Sequence, residues 1–202
     1  MQGFAFGGLG AGAGQDMIGL AFGGLGAGAG NDMTGFVLGG LGAGAGRDFT
    51  GVGIGGLGIG AGQDAKGILI GGVGVGAGRD VRGLLIGGVG VGAGSSLHGV
   101  AIAGLGTGSP EVKGLLIAPL AGGLDVTGAI IAPAYAKIKR GGTMRGFSLS
   151  AFNHVRGEVN GLTIGIFNYA RALNGLQIGL LNYAGNNRRG FRWLPFANAH
   201  FD

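Results

Sequence analysis

Aspartate recurs at a fixed interval of sixteen residues in the first half of this chain, at Asp16, Asp32, Asp48, Asp64 and Asp80. Carboxylates stacked in a column repel one another unless a cation bridges them, so this column is a candidate calcium ladder. The glycine-rich motif of calcium-binding repeats is not met, however, because Gly12 stands where that motif requires aspartate. Aspartate also favours turns, since its carboxylate accepts hydrogen bonds from nearby backbone N–H groups. We favour the turn role and keep the calcium ladder as the alternative.

The histidines and serines form no recognisable catalytic set. His98, His154 and His200 fall in different repeats, and no acid or nucleophile accompanies them at a regular position. Ser95 and Ser96 simply replace the Arg-Asp pair of the preceding repeat. Cysteine is absent, which excludes thiolate metal sites. We therefore predict no enzyme activity, no cofactor and no other metal site.

The elements that position these residues come from a sixteen-residue repeat. Six successive copies begin at Gly3, Gly19, Gly35, Gly51, Gly67 and Gly83. Glycine makes up 55 of the 202 residues, a share typical of low-complexity chains. A strict period and 46% hydrophobic residues instead favour repeats that stack on their neighbours.

Three positions of each repeat are apolar, and we expect all three to face inward. We call each repeat a coil and number it from its opening glycine as position zero. Positions one and three hold pairs such as Phe4 and Phe6, and their spacing of two places them on one face of a strand. Position six, as in Leu9, has the opposite parity, so the chain must turn before it. Prolines 119 and 133 occupy that corner in later coils, because proline suits a corner and not a central strand.

This pattern predicts an all-β fold, a parallel β-solenoid of about thirteen coils with two short strands per coil. We expect one domain over residues 1–202, with regular coils at 1–98, irregular coils at 99–189 and a C-terminal cap at 190–202. Met17 and its counterparts in later coils should fill one end of the core. A closed antiparallel sheet with one strand per repeat is the alternative, and the parity break before position six counts against it.

Two outward surfaces are candidates for an interface. The first is a glycine face, since bare strands let another backbone approach closely although glycine costs ~0.5–1 kcal/mol relative to alanine. Its residues are Gly10, Gly12, Gly14, Gly26, Gly28, Gly30, Gly42, Gly44 and Gly46. The second is an apolar stripe at position two, larger than monomers usually expose. Its main residues are Val37, Leu69, Leu85, Leu116 and Ile130.

The later coils resemble those of a known family. Residues 161–169, GLTIGIFNY, and 175–183, GLQIGLLNY, are similar to the repeated G-L-x-I-G-x-x-N units of leptospiral-type bacterial surface-repeat proteins. The similarity is good over about residues 146–198 and looser before them, where glycine replaces asparagine. It implies a cell-envelope or secreted protein without known enzymatic activity. We expect Asn153, Asn168 and Asn182 to bond from coil to coil through their stacked amides.

These observations favour a structural protein that self-associates through its glycine-rich faces as a fibre, envelope layer or assembly subunit. The alternative is a module that docks a membrane surface or an envelope protein through its apolar stripe or its basic C-terminal end. The net charge of +5 favours anionic partners, although we do not expect nucleic acid. No signal peptide opens the chain, so the cell-envelope or extracellular location follows from the resemblance. We also expect another copy, or a preceding segment, to cover the first coil, residues 3–14.

Overall fold

The computed structural model describes residues 1–201 and divides the chain into two compact units, Met1–Gly104 and Leu105–Asp202. The fold is nearly all β, with stacked coils about 16 residues apart, so the predicted parallel β-solenoid is confirmed. It has about 11 turns, fewer than the thirteen expected. Over residues 1–201 the one helical segment is a short 3-10 turn, and no helix is long and apolar enough to cross a membrane.

The N-terminal unit alternates longer and shorter strands, two in each coil as predicted. Its strands are β1 (Gln2–Gly7), β2 (Gly10–Ala13), β3 (Met17–Gly23), β4 (Gly26–Ala29), β5 (Met33–Gly39), β6 (Gly42–Ala45), β7 (Phe49–Gly55), β8 (Gly58–Ala61), β9 (Ala65–Gly71), β10 (Gly74–Ala77), β11 (Asp80–Gly87), β12 (Gly90–Ala93) and β13 (Ser96–Ala103). The odd-numbered strands pair in parallel with one another, and so do the even-numbered ones. Each coil therefore repeats the previous coil in register.

Glycine at position zero is required by this stacking. Twelve opening glycines have φ between +110° and +145°, a conformation that L side chains rarely adopt. A Cβ on Gly19 would also overlap the carbonyl oxygen of Gly3 in the preceding coil. The repeat can begin with no other residue without moving the backbone of its neighbour.

The C-terminal unit uses long strands that continue around the corners of the coil, which departs from the predicted two short strands. They are β14 (Gly106–Ile117), β15 (Leu120–Ile138), β16 (Thr143–Ile164) and β17 (Phe167–Ala184), and each pairs in parallel with the next. The 3-10 turn Arg189–Phe191 then leads into β18 (Trp193–His200), which pairs antiparallel with β17. The segment expected to form the C-terminal cap thus contains an antiparallel strand, at which the parallel pairing ends.

The side chains that form the core come from the alternate strand positions, not from the positions predicted. Position two is buried, together with Met17 and its counterparts and the alanine or valine at position eight. Positions one, three and six face outward, and even in the second and third coils Leu25 and Leu41 are half exposed, at 51% and 50%. Phe6 and Leu9 of the first coil lie on the solvent side as well. The prediction that these three columns form the core was wrong.

A narrow interior explains the reversed parity. At position four a Cβ on Gly23 would overlap the carbonyl oxygen of Gly26 on the facing strand, so the two strands nearly touch at that corner. Such a space accommodates one medium side chain from the longer strand opposite a small one from the shorter strand, as with Leu69 and Val75. The two bulky residues at positions one and three have no room there and project outward.

Candidate interaction surfaces

The apolar stripe predicted at position two is not a surface. Val37, Leu69, Leu85, Leu116 and Ile130 are at most 1% exposed and belong to the core. They are buried because position two has the same parity as the glycine at position four, which packs on the facing strand. An interface role for these five residues is excluded by their burial.

A different apolar surface takes its place in the N-terminal unit. We call it the aliphatic face and define it as the outward residues at positions one and three of the longer strands, which are phenylalanines in part of the first three coils and aliphatic residues elsewhere. It consists of Phe4, Phe6, Leu20, Phe22, Phe36, Leu38, Val52, Ile54, Ile68, Ile70, Leu84, Ile86, Val100 and Ile102, all exposed or half-buried. Phe22 contacts both Phe4 and Phe36, with ring centroids 5.6 and 5.8 Å apart. Contiguous apolar surface of this extent is typical of a contact region rather than of a free monomer.

The glycine face lies at the surface as predicted, on the shorter strands of the same unit. Alanines 11 and 27 point inward and are buried, which leaves the alternating glycines outward. A Cβ on Gly26 or Gly28 would lie 3.5 or 3.6 Å from the nearest backbone oxygen, an ordinary van der Waals contact. The fold itself therefore does not require glycine at these two positions.

The third glycine column of the predicted interface has a structural explanation. At Gly30 and Gly46 a Cβ would overlap the carbonyl oxygen of the equivalent glycine in the preceding coil. These residues are exposed, yet coil stacking alone accounts for their type. In the column that begins at Gly12 the space also closes along the unit, since a Cβ on Gly60 or Gly76 would lie 2.9 Å from a backbone oxygen. The early members Gly10, Gly12, Gly26 and Gly28 are therefore the ones in need of another reason.

The carboxylates of the aspartate column accept hydrogen bonds at the turns of the coils. The carboxylates of Asp16, Asp32 and Asp48 accept the backbone N–H of the aspartate in the next coil, at 3.1–3.3 Å, and the carboxylate of Asp80 accepts the Ser96 hydroxyl at 2.7 Å. Arg47 adds a two-pronged ion pair to Asp32, and its hydrogen bond holds the pKa of that carboxyl below its usual value. Among residues 1–201 no three potential ligand side chains converge on a metal position. These bonds support the turn role over the calcium ladder.

The C-terminal unit carries a surface that sequence analysis missed. We call it the basic–aromatic face: three outward columns on the second half of each coil. The columns are Tyr135, Phe152 and Phe167; Lys137, His154, Tyr169 and Tyr183, with Trp193 of β18 paired with Tyr183; and Lys139, Arg156 and Arg171. Buried Ile138, Val155 and Ala170 alternate with them and point inward. Alternating aromatic and basic residues in these segments were the available signal.

His154 lies among rings and cations on this face. Its Nδ1 is 2.6 Å from the Tyr135 hydroxyl, and its ring packs against Phe152. Burial, with smaller contributions from Arg156 and Lys137, lowers the pKa of His154 from its ordinary value of 6.5. His98 and His200 lie elsewhere, so the three histidines share no site.

The three asparagines form the predicted ladder, but inside the coil. The Asn153 amide donates to Asn168 Oδ1 and the Asn168 amide to Asn182 Oδ1, both at 2.7 Å. All three are buried, in register with the buried Ala136 rather than with an outward glycine. Opposite the ladder, Gln177 is fully buried, and its amide atoms have no hydrogen-bond partner.

Comparison with known proteins adds no relative: no family model, no curated protein and no solved structure matches this chain. The resemblance to bacterial surface-repeat coils stays an expectation from sequence.

Proposed function

We propose that this chain is a non-catalytic structural protein that self-associates through the flat outer surfaces of its N-terminal unit. The observation that carries the proposal is the aliphatic face, in which two large apolar residues of every coil are in contact with solvent. A second copy would remove this surface from water. The assembly we propose is a fibre, an envelope layer or a larger complex at the cell surface, a location that the family resemblance supports.

The dimensions of the aliphatic face suit a stable contact. Its central strands are 7 residues long, as in Met17–Gly23, which corresponds to roughly 23 Å. The odd-numbered strands from β1 to β13, stacked at about 4.8 Å, extend over roughly 34 Å. The whole sheet of longer strands therefore covers roughly 800 Å², which is what each partner contributes to a typical specific interface, and the aliphatic face forms the apolar part of it.

The glycine face supports the same function by a different route. Because Gly26 and Gly28 could each carry a methyl group without a clash inside the chain, their lack of side chains favours close approach from outside. Substituting both with alanine should leave thermal stability unchanged or slightly raised, and should weaken assembly if a partner packs here. Gly30→Ala should instead unfold its coil.

Analytical ultracentrifugation over a concentration series tests the proposal directly. The wild-type chain should associate, and Leu20→Thr/Leu38→Thr/Ile68→Thr on the aliphatic face should weaken association at least about a hundredfold, because each loses buried apolar area. Threonine keeps the strand propensity of these positions. A wild-type chain that stays monomeric at every concentration would overturn the proposal.

The corner leucines at position six provide the matched control. Leu25→Thr/Leu41→Thr/Leu57→Thr removes three apolar side chains from a different surface, where they are 51%, 50% and 55% exposed, against 46%, 36% and 40% for Leu20, Leu38 and Ile68. Association should survive in this variant. Loss of association here, with none in the first variant, would assign the interface to the corner instead.

Docking to a membrane or to an envelope protein is the second candidate function. The basic–aromatic face of the C-terminal unit favours this function, because its charged and aromatic side chains differ in chemistry from the aliphatic face and the glycine face of the N-terminal unit.

A further inference from the structure

The basic–aromatic face combines aromatic rings with a single sign of charge. Lys139, Arg156 and Arg171 are exposed, and Lys137 lies in the adjacent column. No acidic side chain belongs to any of the three columns. Four cations on consecutive coils therefore point to the same side of the unit.

These cations form no ion pair within the described chain, although the exposed Glu158 follows Arg156 by two residues. None of the three ion pairs found among residues 1–201 includes a residue of this face. Of the acidic residues in the same unit, Glu111 pairs with Lys113, Asp125 accepts the backbone N–H of Thr143, and Glu158 lies beyond the columns. An anionic partner would supply the missing charge.

Ring orientation decides which anionic partner fits best. Single-stranded nucleic acids bind through bases that stack on open ring faces. Here each ring packs on a neighbouring ring, with the planes most nearly parallel in Tyr169 and Tyr183, which are 8° apart with centroids 4.9 Å apart. Tyr183 also packs against Trp193, with centroids 4.7 Å apart, so both of its faces are occupied by rings of the chain itself. Tyrosine and tryptophan edges beside lysine and arginine are typical of residues at the headgroup level of a bilayer.

We propose that the basic–aromatic face docks on the surface of a lipid bilayer that contains anionic phospholipids. Lys137, Lys139, Arg156 and Arg171 attract the headgroups, and the aromatic columns settle at the boundary between headgroups and acyl chains. This inference rests on the second candidate function above and names its partner. It is independent of self-association through the aliphatic face.

Co-sedimentation with vesicles tests the inference on the full chain. Wild-type protein should pellet with phosphatidylcholine vesicles that contain phosphatidylserine, bind much more weakly to pure phosphatidylcholine, and be released by added salt. Lys139→Gln/Arg156→Gln/Arg171→Gln should reduce the partition coefficient roughly a hundredfold, since each basic residue near an anionic surface contributes roughly fivefold.

A matched control separates this face from net charge alone. Lys66→Gln/Arg82→Gln/Arg145→Gln removes the same charge from exposed positions outside the face and should lose little binding. Equal losses in both variants would overturn the inference, as would binding that is the same with and without phosphatidylserine. Tight binding of an oligothymidylate, lost in the first variant while vesicle binding is absent, would assign the face to nucleic acid. Sedimentation mass, measured separately, reports on the self-association proposal.

Discussion

At the residue scale, the interior of the C-terminal unit contains a polar side chain with no partner. Gln177 is fully buried, and neither its amide nitrogen nor its amide oxygen forms a hydrogen bond. Such a group loses its hydration without compensation. We predict that Gln177→Leu raises the free energy of unfolding by about 1–3 kcal/mol, as measured by chemical denaturation.

Asn168 provides the opposite case in the same interior. Its side chain accepts from Asn153 and donates to Asn182 and to the Ile178 carbonyl, so Asn168→Leu breaks three bonds and takes one partner each from the buried amides of Asn153 and Asn182. Asn168→Leu should therefore lower the free energy of unfolding, although it replaces an amide by an aliphatic side chain just as Gln177→Leu does. A stabilised Asn168→Leu, or a destabilised Gln177→Leu, would contradict the explanation.

Protonation of His154 should couple stability to pH. Its pKa is below 6.5 in the folded chain, mainly through burial, so the unfolded chain binds this proton more readily. The free energy of unfolding should therefore be highest, as far as His154 contributes, above about pH 6.5. It should fall as the pH drops below that value towards the lower pKa of the folded chain.

His154→Phe should flatten this dependence between about pH 7 and pH 5, because phenylalanine continues the ring column without a titrating group. Denaturation midpoints of both proteins across that range measure the difference. The contributions of His98 and His200 are common to both proteins and cancel. Parallel pH profiles would show that His154 does not contribute.

Several residue roles followed from sequence, and others could not. The turn aspartates and the buried Met17 column were predicted, because turn chemistry and repeated apolar positions are local signals. The inward position of the asparagines was missed, because asparagine in a core is satisfied only by its copies in adjacent coils. That compensation depends on a register that one repeat alone does not reveal.

At the element scale, the side chains within one coil compensate one another in size. The layer formed by β7 and β8 fills its interior with Phe49, Gly53 and Ile59, and a Cβ on Gly53 would overlap Ile59 Cδ1 and meet Phe49 Cζ at 2.7 Å. The layer formed by β9 and β10, mostly in the fifth coil, fills the same three positions with Ala65, Leu69 and Val75. Each layer keeps a similar volume while its parts change.

This compensation predicts a rescue by a second substitution. Gly53→Leu alone overpacks the fourth coil, at a cost of about 1–3 kcal/mol, and Phe49→Ala alone leaves a cavity, at a cost of about 3–5 kcal/mol. A Cβ at position 53 would also meet Ile59 Cδ1, so the cycle is measured in an Ile59→Val background, where the double variant reproduces the Ala-Leu-Val arrangement of the next layer and should be more stable than Phe49→Ala. A double-mutant cycle from urea denaturation gives the coupling. Additive losses would show that the layer does not adjust.

The corner and the strand pairs were predictable, whereas the inward parity was not. Prolines 119 and 133 marked the corner, and alternation placed positions one and three on one face. Alternation does not say which face is inside, and large apolar residues are found on surfaces too. Glycine at position four, which only a thin interior requires, was the signal that would have decided it.

At the scale of the whole molecule, the N-terminal unit is held together by nearest neighbours. The longer strand of each coil pairs only with those before and after it, as β5 pairs with β3 and β7. Chains of this kind open locally rather than all at once. Local damage should therefore stay local.

Gly51→Ala tests this expectation, since its Cβ would overlap the carbonyl oxygen of Gly35. Hydrogen exchange should accelerate in β5, β7 and β9 and keep wild-type rates in β1 and β13. Uniform acceleration across the unit would indicate that its coils unfold together. Gly28→Ala, where the fold has room for a methyl group, is the control.

The exact register of the N-terminal coils also has a consequence for inheritance. Each interior layer is filled by one longer strand and the shorter strand that follows it, and each coil meets its neighbours through the same backbone contacts. Unequal recombination that deletes or duplicates one such pair of strands therefore leaves every remaining layer complete and every outward column continuous. A gene built this way can change the length of its product in single steps, with each new length already compatible with folding.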